Sequence, residues 1–140
     1  GVFFMTTKKI LVPIDGTERS MHSLNFIKEN YSPEKVELHI INVKELVFID
    51  GISMSDEIKT SEKNGRELLD KARQLVSEYK TEASFTFGYA GDEIVRNAEE
   101  LGTDVIVMTK STKKGLTRMI GSCTAYVLKH AKCTLVIVPE

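Results

Sequence analysis

At 140 residues, 41% apolar and 28% charged, the chain has the balance of one soluble globular domain able to close a core without metal or disulfide, which excludes disordered and collagen-like classes. A net charge of −1 argues against a nucleic-acid-binding domain, whose charge is usually basic throughout. No window approaches the roughly 20 apolar residues of a bilayer span, and Gly1–Met5 is too short and uncharged for a secretory leader, so a cytoplasmic protein without membrane or nucleic-acid partners is expected.

Gly1–Phe4, which precede Met5 and the polar Thr6-Thr7-Lys8-Lys9, read as an appended remnant, leaving residues 5–140 as a single domain. The first strand is expected over Lys9–Ile14 (KILVPI), with Pro13 near its end because proline removes a ladder donor. Asp15-Gly16-Thr17 follows as a turn, then a helix whose apolar face is Met21, Leu24, Ile27 and Tyr31. Val36–Val43 (VELHIINV) is the second strand. After it, Lys44–Ser55 is a long connection carrying the apolar patch Leu46–Ile49, expected to fold over a ligand. Ser53 stands three residues before Asp56, like a capping box, and opens a helix with Ile58, Leu68, Leu69, Ala72, Leu75, Val76 and Tyr79 on one face.

Ala83–Phe87 is the third strand, and a helix capped by Asp92 and closed by Gly102 carries Ile94, Val95, Ala98 and Leu101. Asp104–Met108 is the fourth strand; Cys123, Tyr126, Val127, His130 and Ala131 mark the last helix, and Thr134–Val138 the fifth strand. Strand and helix alternate throughout. Right-handed crossovers then give a doubly wound α/β fold, a five-stranded parallel sheet with helices on both faces.

Chemistry is sparse. From Val105 to Pro139 there is no acid, while Lys110, Lys113, Lys114, Arg118, Lys129 and Lys132 fall within that span, a local positive field that suits a small anion. Ligands of open α/β sheets sit beyond the carboxyl ends of the strands. There Asp15 either accepts hydrogen bonds from a ribose, or assists a metal on a phosphate, or simply makes an Asp-Gly turn. Gly121-Ser122 stands before the last helix, where free amides and the helix dipole favour an anion, or where Ser122 serves only as a cap. Cys123 and Cys133 lack CxxC spacing and clustered histidines, so reduced structural thiols and no metal site are expected. His39 and His130 read as packed and His22 as solvated. GxSxG and GxxxxGK[ST] are absent, leaving no catalytic constellation.

Lys9–Ser20 (KILVPIDGTERS), Gly91–Met108 (GDEIVRNAEELGTDVIVM) and Gly121–Pro139 (GSCTAYVLKHAKCTLVIVP) together resemble the universal stress protein family, over nearly the whole chain from Lys8 onward. The resemblance implies strand order 3-2-1-4-5, frequent dimerisation and, in one branch, binding of ATP or another adenine nucleotide, with Mg²⁺ where ATP is bound. That branch carries G-x2-G-x9-G-[ST] after the fourth strand, an Asp ending the first strand and a Val ending the second. Asp15, Val43, Gly121 and Ser122 match. The first two glycines fall on Thr109 and Thr112 counted forward from Met108, or on Met108 and Ser111 counted back from Gly121. By the resemblance, backbone at Val43 faces adenine, Asp15 the ribose and Gly121-Ser122 the phosphates. Charge and backbone at Lys113, Lys114 and Gly115 are expected to compensate for the missing glycines.

The expected function is a small stress-response regulatory or protective module, not an enzyme, that binds an adenine nucleotide and forms a homodimer through the edge strand Thr134–Val138. Two alternatives stand beside it. One is a nucleotide-independent dimeric interaction module, favoured by Thr109 and Thr112. The other is an enzyme acting on nucleotide phosphates, whose family signature SGGxDS is here replaced by Asp15–Ser20 (DGTERS).

Overall fold

The computed structural model describes residues 7–45, 54–110 and 121–139. In chain order the elements are β1 (Lys8–Pro13), α1 (His22–Asn30), β2 (Val36–Lys44), α2 (Met54–Leu75), β3 (Lys80–Phe87), α3 (Ala90–Glu100), β4 (Val105–Thr109), α4 (Ser122–His130) and β5 (Thr134–Val138). The expected alternation is therefore present. The strands form one parallel sheet in the order β3-β2-β1-β4-β5. Ile10 of the central strand lies opposite Leu38 on one side and Val105 on the other.

Strand alternation divides the apolar residues between two cores. Ile10, Val12, Leu38, Ile40 and Val107 pack on one face against Leu24 and Ile27 of α1 and Leu69, Ala72 and Val76 at α2. Leu11, Ile41, Ile106 and Met108 pack on the other against Ile94 and Ala98 of α3 and Val127 of α4. β1 is buried on both faces, which is why it reads as an unbroken apolar run. Truncating a side chain such as Leu24, fully buried, to alanine costs about 2–5 kcal/mol.

Several boundaries differ from the pattern in the sequence. β3 begins at Lys80 rather than Ala83, because Lys80, Thr81 and Glu82 pair with β2 although their side chains are too polar to signal a strand. α2 ends at Leu75, which is 43% exposed, while Val76 and Tyr79 bury themselves from the turn that follows. The Tyr79 hydroxyl donates to the Ile27 carbonyl at 3.3 Å and to the Tyr31 carbonyl, closing the end of α1. Asp92 is not the cap of α3. That position is Tyr89, and Asp92 lies in the first turn. Gly102 does close α3: its φ of +65° lets its N–H reach Glu99 while the Thr103 N–H reaches Ala98. Pro13 is the last residue of β1, where the lost donor interrupts nothing downstream. Tyr126 and His130 stack on each other at the surface of α4, at 4.2 Å between ring centres, and are exposed. Leu46–Ile49 and the Ser53 cap lie outside the described residues.

Candidate functional site

The carboxyl ends of β1, β2 and β4 open onto one end of the sheet. Leaving β1, the chain makes a turn closed by its own side chains. Asp15 Oδ1 accepts the Thr17 N–H at 2.9 Å and the Thr17 hydroxyl at 2.6 Å. Ser20 Oγ accepts the Asp15 N–H at 3.3 Å and donates to the Thr17 carbonyl at 2.8 Å. Gly16 sits at φ +89°, a conformation that L side chains adopt only with strain. The turn role of Asp15 is thus realised, yet its carboxylate remains exposed beside the opening.

On β2 the strand outruns β1. The Ile14 N–H donates to the Ile41 carbonyl at 2.9 Å, so alternation turns the N–H and carbonyl of Val43 to the same side, past the point where β1 has ended. Both backbone groups of Val43 therefore face the opening. Asn42 steadies the junction by donating from Nδ2 to the Ile14 carbonyl at 2.8 Å.

Asp15, Val43, Met108 and Thr109 line a cleft of about 120 Å³ on the α3–α4 side, together with Pro13, Ile14, Ser20, Ile41, Ala90, Ile94 and Cys123. Met108 contributes an apolar wall. Thr109 contributes backbone, since its hydroxyl shares a 2.7 Å hydrogen bond with Ser23 on the α1 side. Gly121 is the cap residue of α4 and makes no side-chain cap bond; Ser122 is the first helical residue, so it does not cap the helix and its exposed hydroxyl stays available. Thr112, Lys113, Lys114 and Gly115 lie outside the described residues.

Ala90, Ile94 and Cys123 had no signal as site residues, because a helical apolar position at the mouth of a sheet looks the same in sequence as one in the core. Burial, then the Asp15 carboxylate, pushes the Cys123 thiol up, so it is protonated at neutral pH and makes a poor nucleophile. Among the described residues no group of three or more His, Cys, Asp or Glu could hold a metal, and no helix is long and apolar enough to cross a membrane. His39 lies far down β2, its Nε2 2.8 Å from Ser84 Oγ, away from the cleft.

A second cavity, of about 350 Å³, adjoins the first on the α2 side. Among the described residues it shares Asp15 and Val43 with the cleft and is otherwise lined by Gly16 and by residues of β2, β3 and α2.

The model of the universal stress protein family matches residues 6–139. The chain is 30% identical to the universal stress protein MJ0531 of Methanocaldococcus jannaschii, over 95% of this chain and 82% of that one. Among solved structures, the universal stress protein UspA from Lactobacillus plantarum superposes with a TM-score of 0.79 at 18% identity, covering 94% of this chain and 97% of the other. A universal stress protein in complex with cAMP superposes at 0.72 and 18% identity, covering 94% and 96%. The universal stress protein from Archaeoglobus fulgidus in complex with dAMP superposes at 0.64 and 18%, covering 96% and 98%.

Proposed function

The chain belongs to the universal stress protein family, and on that premise we propose that it is a cytoplasmic adenine-nucleotide-binding module, a single domain over residues 5–140 that acts by binding rather than turnover. The observation that carries this reading is the convergence of Asp15, the unpaired backbone of Val43 and the wall of Met108 on one cleft beside the start of α4. Val43 backbone donates to and accepts from the adenine edge. Asp15 accepts from the ribose with the oxygen its turn does not use. Gly121, Ser122 and the first amides of α4 face the phosphate, where the helix dipole favours negative charge. Solved relatives with cAMP and dAMP bound support the ligand class. A triphosphate brings Mg²⁺ with it, and the positive charge of Lys113 and Lys114 in the sequence favours such a ligand. The raised Cys123 thiol supports binding without covalent chemistry.

Calorimetric titration with AMP, and with ATP and Mg²⁺, tests the proposal. Saturable heat with one site per chain upholds it, and no heat at millimolar nucleotide overturns it.

The outer edge of β5 favours a homodimer as the assembly in which this module works. Thr134 N–H bonds to the Asp104 carbonyl and the Val138 carbonyl accepts from Lys110, so the backbone groups of Leu135 and Ile137 point away from β4. A second copy pairing along them would satisfy that row.

A further inference from the structure

The α2-side cavity carries features of a ligand site in its own right. Asn42 is 8% exposed and lines it. Its Nδ2 is committed to the Ile14 carbonyl, while Oδ1 is turned toward Gly65 and receives no hydrogen bond from any described residue. No buried side-chain nitrogen or oxygen among the described residues lacks a partner, so this unbonded Oδ1 is open to the cavity, where water or a ligand reaches it. Oδ1 would stand 3.0 Å from a β-carbon at Gly65, so glycine there keeps that acceptor uncovered. Along the same wall of α2, the half-buried Ser61 hydroxyl and the Asn64 amide also make no hydrogen bond within the described residues. Leu68 and Phe85 supply apolar surface. At about 350 Å³ the cavity lies within the ordinary range of small-molecule sites, whereas the 120 Å³ cleft lies below it.

We propose that this cavity binds a nucleobase, as a second compartment separate from the adenine cleft. The chemistry chooses the class. The described polar side chains on the cavity wall are neutral, with Asn42 buried, Ser61 half-buried and Asn64 exposed, and the exposed Lys44 and Asp15 are of opposite charge, so a neutral group fits better than an anion. A carboxamide such as Asn64 presents a donor and an acceptor side by side, the complement of a base edge. Asn42 Oδ1 takes a further ring or exocyclic N–H, and Leu68 and Phe85 cover the flat faces. The site does not depend on the first cleft being occupied, since among the described residues only Asp15 and Val43 are common to both.

Side-chain amide resonances of Asn42 and Asn64 in the full chain read this cavity directly. Adenosine, guanosine, cytidine and uridine are titrated separately, with glucose as a neutral polyol control. The expected result is a saturable shift of both amides with at least one nucleoside and none with glucose. Asn64→Ala, followed through Asn42, and Ser61→Phe, which fills the cavity from the helix surface, weaken that binding by roughly tenfold or more, the loss expected for a hydrogen bond in the site. AMP titration of the first cleft changes by less than about twofold in the same variants, which also shows that they are folded. Shifts confined to Ile94 and Cys123 would mean that nucleosides enter only the first cleft, overturning the second compartment while supporting the first. No shift at millimolar nucleoside, a response to glucose alone, or binding unaffected by both variants overturns it too.

Discussion

Ser23 of α1 and Thr109 at the end of β4 share a 2.7 Å hydrogen bond between their hydroxyls, buried where the helix crosses the sheet. The bond draws the Thr109 side chain onto the α1 face and leaves only backbone toward the cleft. The β-carbon of Thr109, onto which the first glycine of the resembling pattern falls when counted forward from Met108, is thereby directed away from the cleft.

Thr109→Val keeps the shape and removes one hydroxyl, stranding the buried Ser23 partner. We expect a loss of about 1–3 kcal/mol, seen as a fall of roughly 3–10 °C in the thermal midpoint. Ser23→Ala added to it restores part of the loss, because the orphaned group is gone. Nucleotide affinity measured by calorimetry stays unchanged in both proteins.

Ser122→Ala tests the phosphate end of the cleft. Its hydroxyl caps nothing, so the substitution leaves α4 intact by circular dichroism. Losing a hydrogen bond to a charged phosphate costs about 1.5–3 kcal/mol, a weakening of AMP binding by roughly 10- to 150-fold. Adenosine, without phosphate, binds both proteins equally.

His39 makes stability depend on pH. Burial holds its imidazole below the ordinary value of 6.5, with Glu82 opposing the shift. Between the lowered value and 6.5 the unfolded chain binds more protons than the folded one, so stability rises with pH across that window. The contribution is complete above 6.5 and lost as pH falls through the folded value. His39→Gln, which can still meet Ser84, flattens that slope in urea denaturation series between pH 5 and pH 7.5 relative to the unmodified protein.

Dimerisation through β5 is decided by sedimentation at micromolar concentration, where we expect a two-fold dimer. Ile137→Pro removes an outward N–H and shifts the population toward monomer. Val136→Pro instead cuts the ladder to β4, because Val136 shares the inward orientation of Thr134 and Val138, and it lowers the thermal midpoint as well. A monomer in the unmodified protein at all concentrations contradicts the assembly.

The topology was legible because β1, β2 and β4 are rich in Val and Ile and the helices between them carry clear stripes; the order of the strands came from the family resemblance, since periodicity records faces and not neighbours. Edges were less legible. β3 pairs through Lys80–Glu82 without an apolar signal, and Leu75 fell on a helical stripe that the chain leaves one residue later. Asp15 could be named from its place at a strand end, and Val43 only through the family resemblance. Asn42 could not, because a single Asn inside an apolar strand reveals neither its bond to Ile14 nor the bare Gly65 beside it: a β-carbon there would stand 2.2 Å from the Phe85 ring, a contact between α2 and β3 that no local pattern encodes.

The turn from Asp15 to Ser20 is closed on itself before any ligand arrives, by side chains at both of its ends. Its residues lose their conformational freedom during folding, so an incoming molecule does not have to freeze them again. The kinetic consequence is that this turn adds no closure step of its own to ligand association, so no plateau in the observed rate at high ligand concentration arises from it.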